Sequence, residues 1–295
     1  MGVDPKSSAS KKSENSAPKE PAVPRNASTL IALRPRTDEG APFEVFMVKR
    51  HGKSGFMASA HVFPGGVLED DDASVASRCD GRSPAECAMA LGEADESLAF
   101  SAHVAAIRET FEETAMLLCA SAAIDEDERT RTRDELNETS LTFEAVLKRF
   151  DVRLMLSDLH PFARWITPVV ERRRYDTHFF LTVADEHESG VHDEREVTAG
   201  EWMTPKAALH AAENKELILP PPTLHTLMLL AECNSIDDAL RLCPSTPPRL
   251  QPEFSKQAYP TLALPGDALH PTAEAALPGP TRFELRDGRW QPPAS

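Results

Sequence analysis

The sequence predicts an α+β fold in which helices flank a mixed β-sheet. Two strand-like runs, 28–34 and 44–50, precede the strongest helix, which is predicted at 98–118. Further strands are predicted at 162–167 and 177–184, and helices follow them. This order lacks the strict strand–helix alternation of a doubly wound parallel sheet, so a mixed sheet is favoured.

The other predicted elements are shorter. They are a strand at 61–63, a helix at 141–150, a strand that starts at Trp202, and helices at 205–213, 223–232 and 236–242. The charged run 125–137 is expected to be a connection. Glycine and proline interrupt the acidic run 70–97, which is therefore expected to be a surface insertion.

Composition divides the chain into three parts. Residues 1–25 are rich in Ser, Lys and Pro and are expected to be disordered, whereas 26–243 forms the folded domain. Residues 244–295 form a Pro-rich extension that is expected to be largely extended. Its alternating run 282–286 ends at Asp287-Gly288, a turn signal that predicts a terminal hairpin.

Charge and cysteine content exclude several classes of protein. The formal net charge of −15 argues against general binding to nucleic acid or to an anionic membrane. Five cysteines without a C-x-x-C pair argue against a disulfide framework and a zinc site, and favour an intracellular, cytoplasmic location. The C-terminal Pro-Ala-Ser does not support a peroxisomal location, without excluding one. The oligomeric state, a homodimer included, is left open.

One turn of the predicted helix carries three carboxylates. Glu109, Glu112 and Glu113 stand at i, i+3 and i+4, so their side chains are neighbours, and Arg108 is close enough to hold one of them. Oxygen ligands in this arrangement suit Mg²⁺ or Mn²⁺. The alternative for the helix alone is an ordinary solvated acidic face.

A resemblance to a known family favours the metal site over the solvated acidic face. Gly66 and the later run Arg108-Glu109-Thr110-Phe111-Glu112-Glu113-Thr114-Ala115-Met116 resemble the signature of the Nudix hydrolases. The long segment between them resembles the branch of the peroxisomal coenzyme A diphosphatases, which carry an insertion inside this signature. The ends of the segment are therefore expected to return close together, so that Gly65-Gly66 contacts the helix. Further stretches similar to that branch cover about residues 26–290. They are 49–66, 164–168 followed by 174–180, and 196–209 followed by Pro222-Thr223.

The resemblance implies an α/β/α-sandwich Nudix fold and a set of site residues. Glu109, Glu112 and Glu113 would bind the metal together with the Gly65 carbonyl, and Glu196 is a further candidate ligand. Either Glu112 or Glu109 would act as the general base, and Arg108 would orient a carboxylate. Four basic residues would bind substrate phosphates: Lys49, Arg50, Arg173 and Arg174.

Three functions remain open at this point. The first is hydrolysis of coenzyme A or an acyl-CoA ester to 3′,5′-ADP and (acyl)phosphopantetheine. The second is a diphosphatase of another specificity, for ADP-ribose, NADH or capped RNA, and the third is a Nudix module that binds without turnover.

The sequence departs from the signature at two positions, and one signature residue has no clear counterpart. Ala115 replaces the glycine that ends the helix, so the helix is expected to run a few residues further. Thr110 replaces an apolar residue. Asp70, Asp71 and Asp72 are candidates for the missing acidic residue.

Overall fold

A computed structural model describes residues 21–36, 41–51, 59–190 and 197–293. The predicted disorder of 1–25 concerns mainly residues outside these ranges. Strands occupy β1 (Arg25–Pro35), β2 (Phe43–Arg50), β3 (His61–Val62), β4 (Gly65–Val67), β5 (Cys79–Asp80), β6 (Leu154–Met155), β7 (His160–Ile166), β8 (Tyr175–Val183), β9 (Val197–Met203), β10 (Arg249–Leu250), β11 (Glu253–Lys256), β12 (Pro260–Ala263), β13 (Arg282–Arg286) and β14 (Arg289–Gln291). Helices occupy α1 (Pro84–Leu91), α2 (Glu96–Thr114), α3 (Glu126–Glu138), α4 (Phe143–Arg149), α5 (Pro205–Glu213), α6 (Pro221–Ala231) and α7 (Ile236–Arg241).

The main sheet is mixed, which confirms the predicted class. Its strand order is β10-β7-β8-β1-β2-β3, with β4 paired to β1 and β9 paired to β2. The long β1 runs parallel to β8 and antiparallel to β2 and β4. The first half of β1 therefore lies between β8 and the short β4, where the site described below is built.

Helices cover both faces of this sheet because successive side chains of each strand alternate between the faces. Leu30 and Phe46 pack in one buried cluster with residues of α1, α2 and α4. Ile31 and Met47, the next residues along the same strands, pack in a second cluster with α5, α6 and α7. Within the described ranges, no helix is both long and apolar enough to cross a membrane.

The helix α2 differs from its predicted bounds at both ends. Asp95 caps its N-terminus by accepting from the N–H groups of Ser97 and Leu98. It ends at Thr114, because Ala115 takes a left-handed conformation with a φ of 57°. The prediction that alanine would let the helix continue is wrong. Left-handed backbone costs on the order of 1 kcal/mol in alanine, and burial of the following residues 116–118 offsets that cost.

The segment 70–97 is folded and contributes to the core. It contains a 3₁₀ turn at Asp72–Arg78, strand β5 and helix α1. Val75, Cys87 and Leu91 belong to the cluster that surrounds α2. The prediction of a surface excursion is therefore wrong for these residues, whereas the placement of the segment inside the family signature stays a prediction.

The C-terminal segment is folded as well, contrary to the expectation of an extended tail. β10 adds a parallel strand to the main sheet beside β7. The strands β11 to β14 form a second, antiparallel sheet, in which β13 and β14 are joined across Asp287-Gly288. Leu250, Leu264 and Phe283 belong to the same cluster as Ile31. The domain and its extension thus share one core.

Three buried rings connect the main sheet to the second sheet. His225 on α6 lies with its ring centroid 5.9 Å from that of Trp165 on β7 and 6.0 Å from that of Phe283 on β13. Burial lowers the pKa of His225 from 6.5 to about 4, although a hydrogen bond with the Pro278 backbone raises it. Below about pH 6.5 the unfolded chain therefore takes up a proton that the folded chain does not.

We expect this histidine to make the fold less stable in acid. Because its folded pKa is lowered, stability is lost as the pH falls from about 6.5 toward 4, by about 2 kcal/mol at pH 5. His225→Phe should reduce the difference in unfolding free energy between pH 7 and pH 5 by about that amount. Urea unfolding at both values measures it, with the exposed His210→Phe as the control. If the unfolding free energies at pH 7 and pH 5 differ as much in His225→Phe as in wild type, the expectation is wrong.

Candidate active site

Two glycines bring β4 against the acidic end of α2. Gly65 has a φ of 152°, a conformation that side chains rarely adopt, and its N–H donates to Glu113 Oε2 at 3.2 Å. A Cβ on Gly66 would overlap the carboxylate of Glu109. The two glycines are therefore needed for this close approach, and the predicted contact between Gly65-Gly66 and the helix is confirmed.

Arg108 organises the carboxylates around it. Its Nε donates to Asp72 Oδ1 at 2.7 Å, and one terminal nitrogen donates to Asp72 Oδ2 and to the Val67 carbonyl at 2.9 Å. The other terminal nitrogen donates to Glu109 and Glu112, each at 3.0 Å. Burial opposes ionisation, but these partners raise the pKa of Arg108 above its ordinary value. The guanidinium thus joins the 3₁₀ turn, β4 and α2.

The glutamates are not a solvated face. Glu109 is 8% exposed and Glu113 is 6% exposed. Burial, together with the charges of Glu109 and Glu69, raises the pKa of Glu112 to about 8, although Arg108 lowers it. This part of the molecule holds more negative charge than Arg108 neutralises.

These carboxylates do not surround a common point in the structure. Within the described ranges, no three His, Cys, Asp or Glu side chains are grouped closely enough to hold a metal ion. Arg108 holds Glu109 and Glu112 by hydrogen bonds, whereas the Gly65 N–H holds Glu113. The donor set still fits a divalent cation, because hard carboxylate oxygens are clustered here and Arg108 is the cation that hydrogen-bonds them. Rotation of these side chains would be required to bind it.

A cleft of about 580 Å³ opens beside the glutamates. Its charged lining residues in the described ranges are Arg25, Arg50, Glu69, Glu109, Glu112 and Glu113. On the β7 side of the cleft lies an apolar end, defined here by Trp165, Pro252 and Leu262. The volume is within the range of sites for small molecules.

The predicted cations separate into two groups. Arg50 lines the cleft, and its guanidinium has no hydrogen bond or ion pair in the part of the chain that the structure describes. Lys49 lies beside it on β2 but does not line the cleft. Arg173 is exposed outside the cleft, and buried Arg174 donates to the carbonyls of Thr167 and Ala22. The structure thus does not bring Arg173 and Arg174 to the predicted substrate site.

Some predicted residues cannot be placed, and others were missed. Glu196 lies outside the described residues, so its role stays a prediction. Glu69 and Arg25 line the cleft, and no sequence pattern had indicated either. Asp72 had been one of three acidic candidates, and its burial against Arg108 distinguishes it. Thr110 replaces an apolar residue without loss, since its buried hydroxyl donates to the Ala106 carbonyl at 2.8 Å.

We expect Asp72 to stabilise the site through Arg108. Asp72→Asn leaves the buried guanidinium without its bidentate carboxylate and should lower the unfolding free energy by roughly 3 kcal/mol. Urea unfolding of Asp72→Asn and of the exposed neighbour Asp71→Asn measures the difference. Equal stability of the two variants would contradict the role given to Asp72.

Comparisons with solved structures and curated proteins show which proteins this chain is similar to. A Nudix hydrolase from Alicyclobacillus acidocaldarius is similar, with a TM-score of 0.62 and 27% identity over 74% of this chain and 96% of that one. The acyl-coenzyme A diphosphatase NUDT19 of Xenopus laevis is 28% identical over 240 residues, 66% of this chain and 62% of that protein. The human protein of the same name is 28% identical over 250 residues, 71% of this chain and 66% of that protein.

The matched region spans less than two thirds of the length of these curated relatives. Residues 82–230 match the model of the NUDT19 Nudix domain, and this range includes Arg108 and the three glutamates. The resemblance found in the sequence is thereby confirmed. The chain belongs to the NUDT19 Nudix domain family.

Proposed function

We propose that this protein hydrolyses the diphosphate bond of coenzyme A or an acyl-CoA ester, with Mg²⁺ or Mn²⁺ as cofactor. The products would be 3′,5′-ADP and (acyl)phosphopantetheine. The observation that supports the proposal best is a group of three glutamates, of which Glu109 and Glu113 are buried, beside two glycines at the edge of a cleft. The names of the curated relatives support the choice of substrate.

The chain's own residues have distinct roles in this proposal. Glu109, Glu112 and Glu113, with the Gly65 carbonyl, would hold the cation, which neutralises phosphate oxygens and lowers the pKa of a bound water. Glu112 or Glu109 would accept the proton of the attacking water. Arg108, which hydrogen-bonds both Glu109 and Glu112 in the structure, would orient one of these carboxylates.

Arg50 would bind a phosphate of the substrate. Its guanidinium lines the same cleft as the glutamates and has an open hydrogen-bonding capacity in the described ranges. A planar guanidinium can donate two parallel hydrogen bonds to one phosphate. This cation would also offset the negative field of a chain whose net charge is −15.

We expect Glu112→Gln to lower the rate of coenzyme A hydrolysis by at least ~100-fold, because it removes one unit of ligand charge and a candidate proton acceptor. Stability should be unchanged or slightly higher, since fewer carboxylates repel each other. Release of 3′,5′-ADP with Mg²⁺ or with EDTA, beside a thermal melt, measures both effects.

Glu96→Gln, in the exposed first turn of α2, is the control and should behave as wild type. EDTA-resistant hydrolysis that survives in Glu112→Gln would refute the catalytic role of the glutamates. Cleavage of ADP-ribose, NADH or capped RNA but not of coenzyme A would instead assign another specificity. Binding without turnover of any of these would indicate a non-catalytic module.

We expect Arg50→Gln to raise KM for coenzyme A about tenfold, as expected for the loss of a charge-assisted hydrogen bond to phosphate. Arg173→Gln should leave KM unchanged because Arg173 is exposed outside the cleft. Steady-state kinetics of both variants decides between the two basic groups. An equal rise in KM for both variants would contradict the assignment to Arg50.

A further inference from the structure

One row of side chains crosses the main sheet and forms the floor of the cleft. Val67 on β4 pairs with Ala27 on β1, which pairs with Thr177 on β8, which pairs with Trp165 on β7. Paired residues on adjacent strands present their side chains on the same face. With strands about 4.8 Å apart, the row covers roughly 14 Å from β4 to β7.

The two ends of this row differ in charge. At the Val67 end lie Arg108 and the carboxylates that it holds. At the other end the cleft is lined by residues 165–168 and by Pro252 and Leu262 of the C-terminal segment, and none of these is charged. The two arginines of the cleft lie elsewhere, since Arg25 is exposed beside Tyr175 in the neighbouring row and Arg50 ends β2.

The C-terminal segment completes the apolar end. Leu250 on β10 pairs with Trp165 and adds a fifth member to the row. Leu262 on β12 is half-buried and lines the cleft, whereas its neighbours Thr261 and Ala263 are fully buried. These residues lie beyond 82–230, the range that matches the family model. The C-terminal side of the apolar end, called its wall below, is therefore built by a part of the chain that the family match does not cover.

We propose that the apolar end binds the pantetheine arm of the substrate and the acyl group attached to it. This assignment rests on the proposed hydrolysis of coenzyme A esters. With the diphosphate at the glutamates, the uncharged arm extends along the row toward Trp165, and the acyl chain reaches Pro252 and Leu262. The C-terminal segment thereby selects among acyl groups.

Charge complementarity favours this half of the substrate over the nucleotide half. The nucleotide of coenzyme A carries a 3′-phosphate, which requires a cation, and the apolar end has none among its described lining residues. The arm carries amides instead. Thr177 and Thr223 also line the cleft, and within the described ranges neither hydroxyl has a hydrogen-bond partner in the protein. Both hydroxyls are available to the amides of the arm.

The test is a series of acyl-CoA esters of increasing chain length, measured beside free coenzyme A and ADP-ribose. For wild type, kcat/KM should rise at least about tenfold from free coenzyme A to a medium-chain ester. Leu262→Asp should remove most of this preference by raising KM for the esters. Leu262→Phe keeps the wall apolar but narrows the space, so it should shift the preference toward shorter chains.

Leu269→Asp, at an exposed position of the same segment outside the cleft, is the control and should keep the wild-type preference. If a thermal melt shows that Leu262→Asp does not fold, the shift in Leu262→Phe decides. Equal kcat/KM for all chain lengths in wild type would overturn the inference while leaving the proposed function intact. The inference would also be overturned if the Leu262 variants changed kcat/KM for coenzyme A, its esters and ADP-ribose by the same factor. Absence of hydrolysis of coenzyme A and all its esters would refute the proposed function itself.

Discussion

The buried guanidinium of Arg108 is the interaction on which the site depends. It accommodates one carboxylate from the 3₁₀ turn, two from its own helix and a carbonyl from β4. A charge buried to this degree is tolerated only when its hydrogen bonds are satisfied. The same contacts therefore fix the position of α2 relative to β4 and the direction of the glutamates. Stability and the geometry of the site are coupled through one side chain.

Apolar periodicity, a local signal, predicted the strands of the main sheet and the helix of the glutamates. The contact of this helix with Gly65-Gly66 was expected from the family resemblance. Helix α1 was missed, although a signal was present. Ser83 and Glu86 cap each other's backbone at its start, which is the Ser-x-x-Glu pattern of a helix N-terminus. Glycine and proline around the helix concealed this pattern.

Other features could not have been read from local sequence. α3 is polar, and only Thr132 and Arg133 are buried in it, so it has no apolar stripe to detect. Ala115 ends α2 in a conformation that favours glycine, because tertiary packing of the next residues decides it. The folding of the C-terminal segment depends on partners such as Trp165 and His225, which are remote in the chain. Prolines gave this segment the composition of an extended tail.

The row of residues on the cleft floor also has a consequence for the kinetics of folding. β1 begins at Arg25, but its parallel partner β8 begins at Tyr175, and β10 follows only at Arg249. Ribosomes add residues at a rate that leaves β1 without this neighbour for on the order of ten seconds. Contacts of such high sequence separation form slowly. Until they form, the apolar strand β1 has an unpaired edge and is prone to pair with other chains. Completion of the cleft should therefore be among the last steps in the folding of a newly made molecule, and β1 is the strand that a chaperone would protect until then.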